Sequence, residues 1–243
     1  MIEAMREKIA HWYRTERDKL KDMTVKQKVG YITTYYKGVF FGLFCLALLG
    51  VYIGDIVIQA QKESLVQGFI TNDDWNLFSA EAMEQEYGEY IGLEKNQTVV
   101  FDDGLYIDMG GEMGSDYTAA SNGKLLAFVT TQELDVLITT RDIYEYYSGQ
   151  LPMADLKEML PTDLFKALED RMLTQTDETG KTIYAALDMT GSRYVAGSEY
   201  ADEVGVKNNY FLLVPNNSLR KQHTAEFIRY CFATGDGVLN DAD

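Results

Sequence analysis

The residues best suited to binding chemistry follow a short strand in the middle of the chain. Residues 135–139 are a compact run that predicts a buried strand, and Thr140 and Arg141 come directly after it. In open α/β sheets ligands gather at the carboxyl ends of strands, so Thr139, Thr140 and Arg141 would line such a site. An arginine holds an anion through two parallel hydrogen bonds, and a threonine donates its hydroxyl. The sequence therefore predicts an anion site at this strand end.

The same residues also have a purely structural interpretation. Thr140 is suited to cap a helix predicted over 142–147, which would leave Arg141 exposed to solvent. Tyr144 in that helix either walls a pocket for a flat ligand or packs in the core. Both interpretations stay open at this stage, and the candidate ligand-binding residues are Thr139, Thr140, Arg141 and Tyr144.

Other groups of polar residues give weaker signals. His223 and Glu226 are three residues apart on a predicted helix, a spacing that suits metal binding or proton transfer. A surface helix with one histidine is far commoner. Asp102, Asp103 and Asp108 offer calcium-type ligands, but they lack the periodicity of an EF-hand, and a turn explains the Asp-Asp-Gly sequence. We expect neither a catalytic nor a metal site.

Sequence signatures of the common enzyme classes are absent. The chain has no nucleophile elbow, phosphate-binding loop, zinc-protease helix motif or dinucleotide fingerprint. Its two cysteines, Cys45 and Cys231, are too differently placed to pair, and no Cys/His ligand set for structural zinc exists. We therefore expect a protein that is not an enzyme and that carries no cofactor.

An apolar run over residues 38–58 predicts one transmembrane helix. A helix of this length rises about 31 Å, which matches the hydrocarbon core of a bilayer. A cleaved signal peptide would have a shorter apolar region nearer the N-terminus, and a buried helix of a soluble protein is rarely apolar on all sides. The lipid bilayer is thus the first expected partner.

The glycines of this run suggest a second role for the helix. Their spacing gives two small-xxx-small pairs on one face, which lets two backbones approach and would support a homodimer. Glycine is also common in membrane helices that have no partner. The candidate packing residues are Gly38, Gly42, Gly50 and Gly54.

Charge predicts the orientation of the span. Residues 1–37 carry nine Lys/Arg and five Asp/Glu, whereas the rest of the chain carries 13 and 33. Positive charge before the span places the N-terminus in the cytoplasm and the C-terminal domain outside, in the cell membrane. A domain with a net charge of -20 repels nucleic acid, so we expect no nucleic-acid partner.

The N-terminal segment has the pattern of a basic amphipathic helix. Its apolar residues recur at intervals of three to four, with arginines and lysines largely on other faces. Such a helix either lies on the inner leaflet or is an ordinary solvated helix whose charges set the topology. The apolar positions are Ile2, Met5, Ile9, Trp12, Tyr13 and Leu20.

The remaining residues predict one α/β domain. Strands and helices alternate, which is the signature of a layered α/β fold. A turn at 102–104 makes the runs 98–101 and 105–109 either a hairpin or a kinked strand. The predicted helices are 81–90, 117–131, 142–147, 162–172 and 218–232, and the other predicted strands are 135–139, 182–187 and 210–214.

Three stretches together resemble a known family. The run KLLAFVTTQELDVLITTRDIYEYYSGQLPMADLKEMLP is similar to the helix, strand, helix and turn of type 2 extracytoplasmic solute-binding proteins. TIYAALDMTGSRYV and NYFLLVPNNSLRKQHTAEFIRYCF resemble that family's return strands and terminal helix, and KQKVGYITTYYKG resembles a membrane anchor of Gram-positive anaerobes. The resemblance covers residues 98–233, which is too short for two full lobes. It implies a reduced, three-layer α/β fold.

These observations define three expected segments. Residues 1–37 are a basic amphipathic segment, 38–58 a transmembrane helix and 59–243 an acidic extracytoplasmic α/β domain. We expect a membrane-anchored ligand-binding or accessory module that takes a small solute. The alternative is an envelope protein whose outer domain docks another protein without a small-molecule ligand.

Overall fold

The computed structural model describes residues 2–21, 23–108, 116–177, 179–198 and 210–233, without the side chains of 2–4, 9, 59 and 60. The predicted positions Ile2, Ile9 and Met109 therefore lie partly or wholly outside this description. The chain divides into two compact units, Met1–Gln61 and Lys62–Asp243. Each unit is described by itself.

The first unit consists of three helices. They are α1 (Ile2–Lys21), α2 (Val25–Tyr35) and α3 (Lys37–Ala60). The backbone N–H of Thr24, which precedes α2, donates to the side-chain oxygen of Gln27 at 2.9 Å and so satisfies an otherwise free donor. Within α3, Lys37–Ile58 is long and apolar enough to cross a membrane by length and composition, and none of it is buried.

Helix α1 keeps its apolar residues on the surface of this unit. Met5, Trp12 and Tyr13 are more than half exposed. Large apolar side chains that stay in contact with water are unfavourable by roughly 25 cal/mol per Å². This exposed set fits a helix on the inner leaflet, and the exposed charged residues of α1 equally fit a solvated helix whose charges set the topology, so both predicted interpretations remain.

The second unit is built on one six-stranded mixed sheet. Its spatial order is β2-β1-β3-β6-β5-β4. Strands β2, β1 and β3 are parallel, β6 is antiparallel to both of its neighbours, and β4 is antiparallel to β5. The strands are β1 (Glu63–Thr71), β2 (Gln97–Leu105), β3 (Val136–Thr140), β4 (Met172–Thr176), β5 (Thr182–Asp188) and β6 (Tyr210–Leu213).

Seven helices of the described residues accompany this sheet. They are α4 (Ala80–Ile91), α5 (Asp116–Thr130), α6 (Arg141–Tyr147), α7 (Leu156–Met159), α8 (Thr162–Leu168), α9 (Arg193–Ala196) and α10 (Lys221–Phe232). One core cluster contains residues of α4, α7, α8 and α10, and a second contains residues of α5 and α6. Both clusters include sheet residues, so the coarse prediction of an α/β fold with helices on both sides of a sheet is confirmed.

Strand β3 shows how the sheet joins the two clusters. Val136 and Ile138 belong to one cluster, while Leu137 belongs to the other. Successive side chains of a strand point to opposite faces, so a strand buried on both faces is a continuous apolar run. The same alternation occurs in β6, where Phe211 lies between Tyr210 and Leu212 of the opposite cluster.

One strand was not predicted, and two predicted elements need correction. Strand β1 was not predicted, because its mixed polar and apolar residues follow the apolar span without a turn signal. The predicted helix 162–172 ends at Leu168, and Met172 starts strand β4, because pairing with β5 outweighs local helix propensity. The Asp-Asp-Gly sequence is not a hairpin turn. It lies within β2, where a register shift opposite Phe69 and Thr71 accommodates it, so the kinked-strand alternative holds.

Helix α10 carries the only cysteine of the second unit. The Cys231 side chain has no exposed area, and Phe227 and Ile228 of the same helix are equally buried. Burial raises the pKa of the Cys231 thiol far above its usual range, because the thiolate would lose its hydration. The thiol therefore behaves as a small apolar core group.

A buried carboxylate ties β3 to three other parts of this unit. Asp135, immediately before β3, is fully buried. Its oxygens accept from the backbone N–H of Gln67 at 2.8 Å and from the hydroxyl of Ser218 at 2.7 Å. The Nε of Arg220 completes the set at 2.7 Å. The charge is thus paired and hydrogen-bonded, as a buried carboxylate must be.

Replacing Asp135 should destabilise the second unit strongly. We expect Asp135→Ala to lower its free energy of unfolding by about 3–5 kcal/mol, because Arg220 would remain partly buried without its partner. The measurement is the urea midpoint of the segment Lys62–Asp243. Asp163→Ala is the matched control, since the Asp163–Arg229 pair is exposed and should leave the midpoint almost unchanged. Equal effects of both substitutions would contradict the role given to Asp135.

Candidate functional site

The carboxyl ends of several strands meet at one edge of the sheet. β1, β3 and β5 run in the same direction, since β6 is antiparallel to both β3 and β5. β2 lies on one side of β1 and β3 on the other, so the strand order reverses between β1 and β3. Crevices outside such a reversal are the usual ligand sites of open α/β sheets. The candidate site is therefore at this edge.

Thr139 and Thr140 have different surroundings at the end of β3. Thr139 is fully buried, and its hydroxyl shares a 2.6 Å hydrogen bond with the hydroxyl of Thr71 at the end of β1. Thr140 occupies the cap position of α6, although its side chain makes no capping hydrogen bond. Thr139 thus contributes to the junction of the two strands, and Thr140 has the more accessible hydroxyl.

Arg141 lies half-exposed at the start of α6. Its guanidinium carbon is 4.9 Å from the centroid of the Phe211 ring, a cation–π contact. One guanidinium nitrogen is 3.9 Å from a carboxylate oxygen of Glu145, one turn further along the helix. The concavities described below do not include Arg141, so its predicted part in anion binding remains a prediction.

Tyr144 packs in the second core cluster. Its ring centroid is 5.8 Å from that of Phe211, and its hydroxyl donates to the side-chain oxygen of Gln175 at 3.4 Å. Burial raises the pKa of Tyr144 above its ordinary value. This geometry corresponds to the packing interpretation of Tyr144.

A polar network stiffens the same edge after β1. Asn72 has a φ of 56°, and its side-chain amide donates to the Ile107 carbonyl at 2.8 Å and accepts from the Ile107 N–H at 3.0 Å. The next residue, Asp73, accepts from the Tyr210 hydroxyl at 3.1 Å and from the Phe78 N–H at 2.7 Å. Burial raises the pKa of Tyr210, so the phenol remains a donor at neutral pH.

A concavity of about 360 Å³ lies between the segments that leave β1 and β5. We call it the Arg193 concavity. One wall is formed by residues just before α4 and in its first turns, and the other by residues of α9 and just after it. They are Leu77, Ser79, Ala82, Glu86, Arg193, Tyr194, Gly197 and Ser198. Both segments follow the carboxyl ends of strands, which is the edge where ligands bind in open α/β sheets.

Arg193 is held rigidly at this concavity. Its guanidinium carbon lies 3.6 Å from the centroid of the Tyr230 ring, and one terminal nitrogen donates to the Ala233 carbonyl at 3.1 Å. Ser192 caps α9 by accepting from the Val195 N–H, which fixes the backbone from which Arg193 projects. A stacked guanidinium in a fixed position is suited to hold a carboxylate.

Two polar atoms at the Arg193 concavity are buried without a hydrogen-bond partner. They are the Nε of Arg193 and the hydroxyl of Tyr194, two of the three such side-chain atoms in the described part of the chain. Burial raises the pKa of Tyr194 far above its usual range, so this hydroxyl stays protonated. Neither atom has appreciable accessible surface, so in this arrangement neither contacts a ligand in the concavity.

Glu86 supplies a negative group on the opposite wall. Its carboxylate accepts from the Tyr230 hydroxyl at 3.4 Å, and Tyr230 also carries the stacked Arg193. The concavity therefore offers a cation and an anion that share one aromatic support. Such a pair suits a ligand with a carboxylate at one end and an ammonium or hydroxyl donor at the other.

Sequence analysis missed the Arg193 concavity. The rule that indicated the end of β3 also applies to the end of β5, but Thr190-Gly191-Ser192 has the composition of a simple turn. Only the parallel direction of β1 and β5 shows that Arg193 and Glu86 share an edge. The signal in the sequence was a charged residue, Arg193, five positions after the last residue of β5, and this signal alone is weak.

Two further concavities lie elsewhere on this unit. One of about 300 Å³ is lined by residues 148–153 together with parts of β4 and β5. One of about 670 Å³ lies between α7 and α10 and includes Lys221, Glu226 and Arg229. His223 is 3.4 Å from Glu226 on exposed helix surface. The first has a single charged side chain in its lining, Asp177, whereas the second is lined by both cations and carboxylates.

The aspartates considered for calcium have other contacts. Asp102 accepts from the Gly104 N–H at 2.9 Å and pairs with Lys124. Asp103 accepts from the Ala80 N–H at 2.9 Å. The described residues contain no group of three His, Cys, Asp or Glu side chains arranged to hold a metal ion.

The glycines of α3 leave one surface of that helix open. A Cβ atom added at Gly38, Gly42, Gly50 or Gly54 would have no neighbour within 4 Å among the described residues. The helix face is therefore free for close approach of another helix, and its predicted role in dimerisation remains a prediction.

Comparisons with known proteins give no relative. No family model matches the chain, and neither the curated proteins nor the solved structures contain a significant match. The function must therefore be argued from the geometry alone.

Arg141 should contribute little to folding. We expect Arg141→Ala to lower the free energy of unfolding by at most about 1 kcal/mol, because it removes one half-exposed cation–π contact. Urea unfolding of Lys62–Asp243 measures this effect. Phe211→Leu, which removes the buried ring beneath the guanidinium, is the comparison and should cost clearly more. A loss above 2 kcal/mol for Arg141→Ala would make Arg141 a structural residue.

Proposed function

We propose that the chain is a membrane-anchored, extracytoplasmic binding module related to solute-binding proteins. Helix α3 would anchor it, with residues 1–37 in the cytoplasm and the second unit outside. The length and apolar composition of Lys37–Ile58 and the change from basic to acidic sequence across it support this topology.

The observation that carries the binding role is the Arg193 concavity. It joins the Arg193 guanidinium, which is stacked on Tyr230, and the Glu86 carboxylate at the carboxyl edge of the sheet. We infer that the ligand is a small amino acid or hydroxy acid, whose carboxylate contacts Arg193 and whose donor group contacts Glu86. The described second unit has one sheet, so the ligand would bind to a single lobe.

The resemblance to type 2 solute-binding proteins adds support of a different kind. The segments that carry it form a parallel β3 followed by antiparallel β6 and the terminal helix α10. A reduced version of that fold would keep the strand-end crevice and lose the second lobe that encloses the ligand. Weak, rapidly reversible binding is expected of such a site, because less of the ligand's surface is buried.

An interaction role is the second candidate. Trp75, Tyr106 and Tyr117 are about half exposed and follow the ends of β1 and β2 or begin α5. Exposed aromatic residues are enriched where proteins bind other proteins. In this role the same edge would contact another envelope protein, and α3 would add a dimer contact through its glycines.

Ligand binding should depend on Arg193. In a thermal-shift screen of Lys62–Asp243 against amino acids and hydroxy acids, we expect a ligand at 100 times its Kd to stabilise the domain by about 2.7 kcal/mol. Arg193→Gln should abolish the shift, because it removes the cation that holds the carboxylate. Arg141→Ala is the matched control and should retain it. Loss of the shift in Arg141→Ala but not in Arg193→Gln would place the site at the end of β3. The absence of a thermal shift with every compound would favour the interaction role.

The proposed topology predicts which cysteine variants react on intact cells. Leu219 is 73% exposed, so Leu219→Cys should be labelled by a membrane-impermeant maleimide without permeabilisation. Native Cys231 is buried and should not react in the folded protein. Lys8→Cys, in the exposed N-terminal helix, should be labelled only after the membrane is opened. Labelling of Lys8→Cys on intact cells would reverse the orientation.

A further inference from the structure

The first unit holds a concavity that the proposed ligand site does not involve. It has a volume of about 360 Å³ and is formed by the end of α1 and the first turn of α2. Arg17, Asp18, Leu20 and Lys21 line it from α1, and Lys28 lines it from α2. Three cations and one carboxylate thus share a small volume.

The three cations of this concavity have no ion-pair partner among the described residues, which do not include Asp22. Among the residues that the structure describes, no carboxylate lies within 4.0 Å of Arg17, Lys21 or Lys28. The neighbouring Lys19 does have a partner, since its ammonium is 2.8 Å from a Glu16 oxygen. Like charges gathered in one concavity repel one another, and an anion between them removes that repulsion.

Glu16 also joins α1 to α2 beside the concavity. Its other carboxylate oxygen accepts from the Tyr36 hydroxyl at 2.7 Å and from the Tyr31 hydroxyl at 3.1 Å. Donation of this hydrogen bond to the Glu16 carboxylate raises the pKa of Tyr36 to about 12, so the bond persists at neutral pH. Trp12 packs edge-on against Tyr36 with ring centroids 6.2 Å apart. These contacts fix α1 against α2 and so position the three cations.

We propose that this concavity binds the phosphate of an anionic phospholipid headgroup. Arg17 is suited to a bidentate contact with phosphate, and Lys21 and Lys28 add point charges from two sides. The lipid source is favoured because α2 leads within two residues into α3, the helix that can cross a membrane. Basic pockets beside such helices on the cytoplasmic side attract anionic lipids. The inference rests on the proposed membrane setting, but not on the Arg193 concavity.

Native mass spectrometry of the full-length chain in detergent tests the proposal. Phosphatidylglycerol and phosphatidylcholine are titrated separately, and we expect phosphatidylglycerol to be retained at least tenfold more strongly. Arg17→Gln/Lys21→Gln should lose this preference. Lys8→Gln/Arg14→Gln is the matched control, since it removes the same charge from α1 outside the concavity and should retain it. Equal loss in both double variants would reduce the effect to net charge and overturn the site.

A third variant separates a positioned site from general attraction. Glu16→Ala makes the segment more positive but removes the contacts that hold α1 against α2. A built site predicts weaker phosphatidylglycerol retention, whereas net charge alone predicts stronger retention. Inorganic phosphate is the competitor: displacement of the lipid at equal concentration would assign the site to a soluble phosphate and overturn the lipid proposal. These results are independent of the thiol labelling that tests orientation.

Discussion

The buried carboxylate of Asp135 is the interaction on which the second unit depends. A charge without solvent contact is costly unless every oxygen has a partner, and Asp135 has β1, Ser218 and Arg220 as partners. These partners fix the register of β3 beside β1 and the point at which the chain enters α10. Because α10 supplies much of one core cluster, a single side chain determines how the sheet meets this helix.

The position of Asp135 also distinguishes the two ends of β3. Asp135 lies at the amino end of β3, where polar groups are used to join elements. Thr140 and Arg141 lie at the carboxyl end, where side chains remain accessible. The Arg193 concavity is at the carboxyl edge of the sheet, so the groups proposed to bind a ligand are separate from Asp135 and its partners. Substitutions at one edge can therefore change binding with little effect on stability.

The sequence predicted those elements whose signals are local. Helices α4 and α5 and strand β3 follow from apolar periodicity and lie close to their predicted bounds. Strand β4 was not predictable in this way. The residues before Met172 favour a helix that would continue past it, and only pairing with β5 makes the residues from Met172 onward extended. The Asp-Asp-Gly sequence has a strong turn signal, yet β1 holds it in β2. The Arg193 concavity contains none of the predicted site residues. Arg141 follows a recognisable strand, whereas Arg193 and Glu86 are 107 positions apart in the sequence and meet only through the sheet.

The burial of Cys231 has a consequence for the covalent chemistry of the second unit. A thiol inside the core cannot exchange with other disulfides, so the folded domain needs no oxidative maturation. An opening of α10 exposes the thiol, and an added oxidant can then join two opened molecules through a disulfide. The rate of such cross-linking measures how often α10 detaches from the core, and it therefore reports local unfolding of the second unit.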